Sequence, residues 1–130
     1  MTDITTTEFE VLEVLWQKHP ASANEIIESL NQAKEWHDKT VKTLLNRLVK
    51  KQAIAFDVDQ RRYLYYPLIE RESYMAKESK SIVERMFSGR VSPLVAGFAK
   101  HNQLAKDDID ELKKIISAWE HGQEQEQDDD

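Results

Sequence analysis

The sequence predicts a mainly α chain with one small β-hairpin, divided into two lobes. Three observations lead there. Three short amphipathic helices with start signals crowd into the first fifty or so residues. Two runs of β-branched and aromatic residues then flank a short polar turn. Only three Gly and three Pro interrupt 130 residues, which disfavours a many-turned sandwich. A hydrophobic fraction of 40% sits near the globular norm and excludes a disordered chain.

The first helix is expected from about Thr6 to Lys18. Thr5 can cap it while Glu8 reaches back to the cap N–H, and Phe9, Val11, Leu12, Leu15 and Trp16 recur at helical spacing. His19-Pro20 ends it, because proline disfavours the helical conformation of the residue before it. Ser22 and Glu25 repeat the capping pattern, and Ile26, Ile27 and Leu30 give a second helix that ends near Gln32. A third helix follows Trp36-His37-Asp38, with Asp38 able to cap it or to complement its dipole. Its apolar side is Val41, Leu44, Leu45, Leu48 and Val49, and it should stop near Lys51.

Residues 54–58 and 62–66 read as strands joined through Asp59-Gln60-Arg61, with Pro67 closing the hairpin. Beyond it, Glu70 to Ser88 reads as a long polar helix. Ser92 then caps a helix with Pro93 at its first position, and a last helix begins near Asp107. After Gly122 only Gln, Glu and Asp remain, a segment with nothing to bury. The expected domains are therefore residues 1–68, residues 69–121 and an acidic disordered tail over 122–130.

Without cysteine there is no disulfide framework, thiolate metal site or thiol nucleophile. His19, His37, His101 and His121 share no ligand-like spacing. No phosphate-binding glycine loop or nucleophile elbow occurs, so neither an enzyme nor a metal or cofactor is expected. No apolar run is long enough to span a membrane. The stretch MTDITTTEFE lacks the basic and apolar parts of a signal peptide, so a cytoplasmic protein without membrane insertion is expected.

The net charge of −6 argues against a polyanionic partner until it is divided along the chain. Residues 1–37 sum to −5, residues 38–62 to +4, residues 63–119 to +1 and residues 120–130 to −6. On the third helix, Lys39, Lys42, Thr43, Asn46 and Lys50 fall opposite the apolar side, with Thr40 and Arg47 on the flank. Such a row suits DNA: Lys and Arg neutralise phosphates or read guanine, Asn bonds adenine, and Thr meets a phosphate or a thymine methyl. A solvated helix face would show lysines too. The context favours DNA, because a helix-turn-helix followed by a hairpin, a winged helix-turn-helix, turns that helix outward as the recognition element. Arg61 and Arg62 then lie in the wing, near backbone or minor groove, although charged residues also serve to block edge pairing.

Residues 69–121 are too few to enclose a good core alone, yet they carry Ile82, Met86, Phe87, Leu94, Val95, Phe98, Ile109, Leu112, Ile115, Ile116 and Trp119. A symmetric partner would cover them and supply a second reader for a second half-site. Packing back onto the first domain is the other possibility.

The stretches TTTEFEVLEVLW, ASANEII, WHDKTVKTLLNRLVKK and YLYYPLI resemble the BlaI/MecI/CopY family of bacterial transcriptional repressors, over roughly residues 4–120. The resemblance implies a winged-helix domain, a helical dimerisation domain and binding as a homodimer to a palindromic double-stranded DNA operator. It puts Lys39, Thr40, Lys42, Thr43 and Arg47 at recognition-helix positions. Three departures stand out. Family members often carry Ser-Pro after the tryptophan and Gly after the basic pair, where this chain has His37-Asp38 and Gln52. Thiolate copper sensing is excluded. The β-lactam-responsive branch implies a regulatory protease acting on an Asn-Phe bond, and the aligned pair here is Gly97-Phe98. The expected function is a sequence-specific repressor. The alternative, favoured by the net charge and the acidic tail, is a winged-helix adaptor that binds protein instead of DNA.

Overall fold

A computed structural model describes residues 3–128, with side chains to residue 123. In order the elements are α1 (Thr6–Gln17), α2 (Ala23–Asn31), α3 (Asp38–Lys50), β1 (Ile54–Asp59), β2 (Arg62–Pro67), α4 (Arg71–Phe87), α5 (Ser92–Lys100) and α6 (Lys106–Asp128). They fall into two compact units, Met1–Lys77 and Glu78–Asp130.

In the first unit both expected capping boxes are present. Thr5 N–H donates to Glu8 Oε1 at 2.9 Å and Glu8 N–H to Thr5 Oγ1 at 3.2 Å. Ser22 and Glu25 exchange the same bonds at 3.1 and 3.2 Å. Each removes orphan donors from a helix end. The expectation for α3 needs one correction: His37 occupies the cap position without a side-chain bond, and Asp38 sits in the first turn. There it can complement the dipole, and it caps nothing.

One apolar core joins α1 (Val11, Leu12, Leu15), α2 (Ile26, Ile27, Leu30), α3 (Val41, Leu44, Leu45, Leu48) and the hairpin (Ile54, Tyr65). The helices supply these residues at three- and four-residue spacing, so the stripe on α3 that meets the core leaves its opposite face outward. α3 ends in a Schellman motif: Gln52 N–H donates to Val49 O at 3.0 Å and Ala53 N–H to Leu48 O at 3.0 Å, with Gln52 left-handed at φ 63°.

The hairpin pairs Ile54 with Pro67 through Asp59 with Arg62. Its turn is therefore two residues, Gln60-Arg61, rather than three. Both have positive φ, 49° and 72°, as a type I′ turn requires to match strand twist. Ala21 bridges the other edge of β2 by two bonds to Tyr65, at 3.0 and 2.8 Å. The first unit also extends beyond residue 68. Tyr74 stacks on Phe9 at 5.8 Å, Arg71 pairs with Glu13 at 3.0 Å, and the indole N–H of Trp16 donates to Ile69 O at 2.9 Å.

The second unit contains the end of α4, α5 and α6. α5 starts one residue earlier than expected: Val91 holds the cap position, and Ser92 and Pro93 open the helix. α6 continues into the stretch expected to be a disordered tail, with helical backbone to Asp128. Residues 123–127 are Gln and Glu, which are good helix formers, and extending an existing helix needs no new nucleus. Residues 129 and 130 of that expected tail lie outside the described residues.

Candidate nucleic-acid interface

The outward face of α3 follows from its buried one. With Val41, Leu44, Leu45 and Leu48 in the core, Lys39, Thr40, Lys42, Thr43, Asn46, Arg47 and Lys50 are all exposed. Thr43 Oγ1 donates to Lys39 O at 2.9 Å, which commits its proton to the helix and leaves its methyl and a lone pair outward. His37, Lys39, Thr40, Thr43, Leu44 and Arg47 line a shallow open groove along the first turns of α3. Arg61 and Arg62 are exposed on a separate element, at the turn of the hairpin.

Among the described residues, no carboxylate lies within ion-pair distance of Lys39, Lys42, Arg47, Lys50, Arg61 or Arg62. Ion pairs found there include those of Lys18, Lys34, Lys51, Arg71 and Lys80. Arg62 contributes only at a distance to Glu25, whose carboxyl is held below its ordinary range first by the backbone and hydroxyl of Ser22. The face is thus a set of exposed cations without ion-pair partners among the described residues, the arrangement that favours exchange of small counterions for phosphate. The acidic exceptions are exposed Asp38 at the start of α3 and, beside the arginines of the hairpin, exposed Asp57 and Asp59 on β1.

One cation next to this row is not part of it. Lys51 turns inward to Glu8 at 2.6 Å. The sequence signals only the burial of Glu8, which stands at the spacing of Val11, Leu12 and Leu15 on the buried side of α1 and is fully buried. Burial alone would push its carboxyl up. The bond from Lys51 and those at Thr5 reverse this and hold it below the usual range.

The second unit presents a different surface. Neither α5 nor α4 buries a residue, and no described residue of the unit is fully enclosed. Ile82, Met86, Phe98, Ile109, Ile115, Ile116 and Trp119 are exposed, Met86 and Trp119 by about two-thirds, while Phe87, Leu94, Val95 and Leu112 are half-buried. Gly97 and Phe98 both lie on α5. Among the described residues no group of acidic, histidine or cysteine side chains could hold a metal, and no helix is long and apolar enough to cross a membrane.

Residues 4–118 match the family model described as the penicillinase repressor. The chain is 36% identical over 115 residues to the methicillin resistance regulatory protein MecI of Staphylococcus aureus (strain N315), covering 88% of this chain and 94% of that protein. It is 33% identical over 113 residues to the penicillinase repressor of Bacillus licheniformis, covering 87% and 88%. Among solved structures it is similar to the DNA-binding domain of the repressor BlaI in solution, with 34% identity, a TM-score of 0.50 and coverage of 57% of this chain and 94% of that one.

Proposed function

Since this chain belongs to the penicillinase repressor family, we propose that it is a sequence-specific DNA-binding repressor that meets a palindromic operator as a homodimer in the cytoplasm. The observation that carries the reading is the unpaired basic face of α3, turned outward on a winged-helix scaffold. Lys39, Lys42, Arg47 and Lys50 serve phosphates and guanine edges, Asn46 and the threonines read or brace neighbouring bases, and Arg61 and Arg62 hold the flank of the site. Repression follows from occupancy, because a duplex covered by two readers is closed to polymerase.

The dimer reading rests on the second unit. Each large apolar side chain taken from water contributes about 1.5–3 kcal/mol, and here more than half a dozen are exposed. A twofold partner covers the same patch on both copies and sets the spacing of two half-sites. The residues that supply it are Ile82, Met86, Phe87, Leu94, Val95, Phe98, Ile109, Leu112, Ile115, Ile116 and Trp119, in a domain that follows the DNA-binding one.

The test is selection of duplexes from a randomised pool, followed by anisotropy titration of a selected duplex at several salt concentrations. Tight binding whose logarithm falls linearly with the logarithm of salt is expected. The K42A/R47A variant should reduce the slope by about 0.9 for each phosphate that is no longer neutralised. Equal, weak binding to every duplex would sink the repressor reading and leave the protein-binding adaptor.

A further inference from the structure

Lys51, at the end of α3, forms part of the interior. Its side chain is 19% exposed, and its ammonium donates to Glu8 Oε1 at 2.6 Å and to the backbone carbonyl of Asp3 at 2.7 Å. The same carboxylate oxygen accepts the Thr5 N–H at 2.9 Å, while Glu8 Oε2 is buried without a hydrogen-bond partner among the described residues. The pair therefore joins the segment ahead of α1, the first turn of α1 and the C-cap of α3. At that cap Lys51 N–H closes the helix on Arg47 O at 2.9 Å, and β1 begins three residues later.

We propose that Lys51 is a positioning residue for DNA recognition and not a phosphate contact. Held by buried Glu8, it fixes the last turn of α3, and with it Arg47, Lys50 and the entry to the hairpin, against α1. The inference rests on the reading of α3 as the recognition helix. A lysine that swung out to a phosphate would leave a buried carboxylate with no cation, and stranding one partner of a buried pair costs far more than the pair itself contributes. Lys51 therefore stays inward when DNA arrives. A cation that stays inward displaces no counterion from the duplex, whereas exposed Lys50 beside it does.

The full-length chain is titrated with the selected duplex across a salt series as wild type, K50A, K51M and E8L/K51M, and backbone amide exchange is followed without DNA. K50A should lower the salt slope by about 0.9. K51M should lose about tenfold or more in affinity with the slope unchanged, and exchange at Lys51, Gln52 and Ala53 should quicken by a similar factor. E8L/K51M, which replaces both charges by apolar groups, should recover most of both losses. The proposal is overturned if K51M lowers the slope as K50A does, or if exchange in the last turn is unchanged. It is equally overturned if a folded E8L/K51M binds as weakly as K51M. Where K51M does not fold, the double variant decides by the same criteria. Should the wild type prefer no duplex, the recognition reading fails, and the exchange measurement still decides whether Lys51 and Glu8 fix the end of α3.

Discussion

Gln52 holds a backbone conformation that favours glycine, φ 63° at the position after the C-cap of α3. Its Cβ crowds the following carbonyl there, and the Schellman bonds from its own N–H and from that of Ala53 help to hold it in place. Replacing Gln52 by Gly should stabilise the first unit by about 0.5–1 kcal/mol, the relief of crowding less the entropy that glycine loses on folding. A rise in urea midpoint at unchanged m-value would confirm it. Glu8 makes a prediction of opposite character. Its carboxyl lies below the ordinary 4.5 in the folded protein, so near that pH the unfolded chain binds more protons. The stabilisation is full above about pH 4.5 and is lost as pH falls through the depressed native value. Urea midpoints measured from pH 5.5 down to 3.5 should fall steeply for wild type and more gently for Glu8→Gln. The capping role of Glu8 was legible from Thr5-x-x-Glu8. Its pairing with Lys51 links residues 43 positions apart, and no local pattern names the partner.

The hairpin turn shows how element length is decided by backbone twist. Read from composition, Asp59-Gln60-Arg61 looks like one polar turn. In the fold Asp59 pairs with Arg62, and only Gln60 and Arg61 remain, both left-handed. A type I′ turn with neither Asn nor Gly holds its geometry against local preference. The Q60N/R61G variant should therefore raise the melting temperature while weakening DNA binding, through loss of the Arg61 charge, by less than K42A/R47A does. Differential scanning calorimetry and anisotropy separate the two effects. The helices were more legible than the turn, since the recurrence of Leu12, Leu15, Leu45 and Leu48 at helical spacing encodes burial directly. The pairing of Ala21 with β2 was not, because a single bridged residue has no periodicity.

Division of labour between the units explains why a chain of net charge −6 can present a cationic face. The basic excess is concentrated in residues 38–62, inside a unit with its own core, and the acidic excess lies in residues 1–37 and 120–130. A chain ending at Lys77 should fold, because the core cluster lies within it, as do Phe9 and Trp16 against Tyr74 and Glu13 against Arg71. It should sediment as a monomer and bind the selected duplex at least about tenfold more weakly than the full chain, since two linked readers gain by effective concentration. Sedimentation of that fragment as a dimer would overturn the assignment of dimerisation to α4–α6. The row of candidate DNA-facing residues was readable from the sequence because the buried stripe of α3 dictates its complement. Ile115, Ile116 and Trp119 were readable as candidates for a partner surface from the small size of their segment, whereas their exposure on α6 becomes apparent only once the fold shows that nothing in their own unit encloses them.

Trp16, Trp36 and Trp119 also give the molecule an optical address in each of its parts. Trp16 reports the joint between the hairpin and α4 through its bond to Ile69 O, Trp36 lies beneath the ammonium of Lys34 just ahead of α3, and Trp119 stands about two-thirds in water on α6. Emission from a variant that keeps only Trp119 should shift to the blue as protein concentration rises through the association range, while one that keeps only Trp36 should respond to DNA. Subunit pairing and operator binding would then be followed separately, one in each variant.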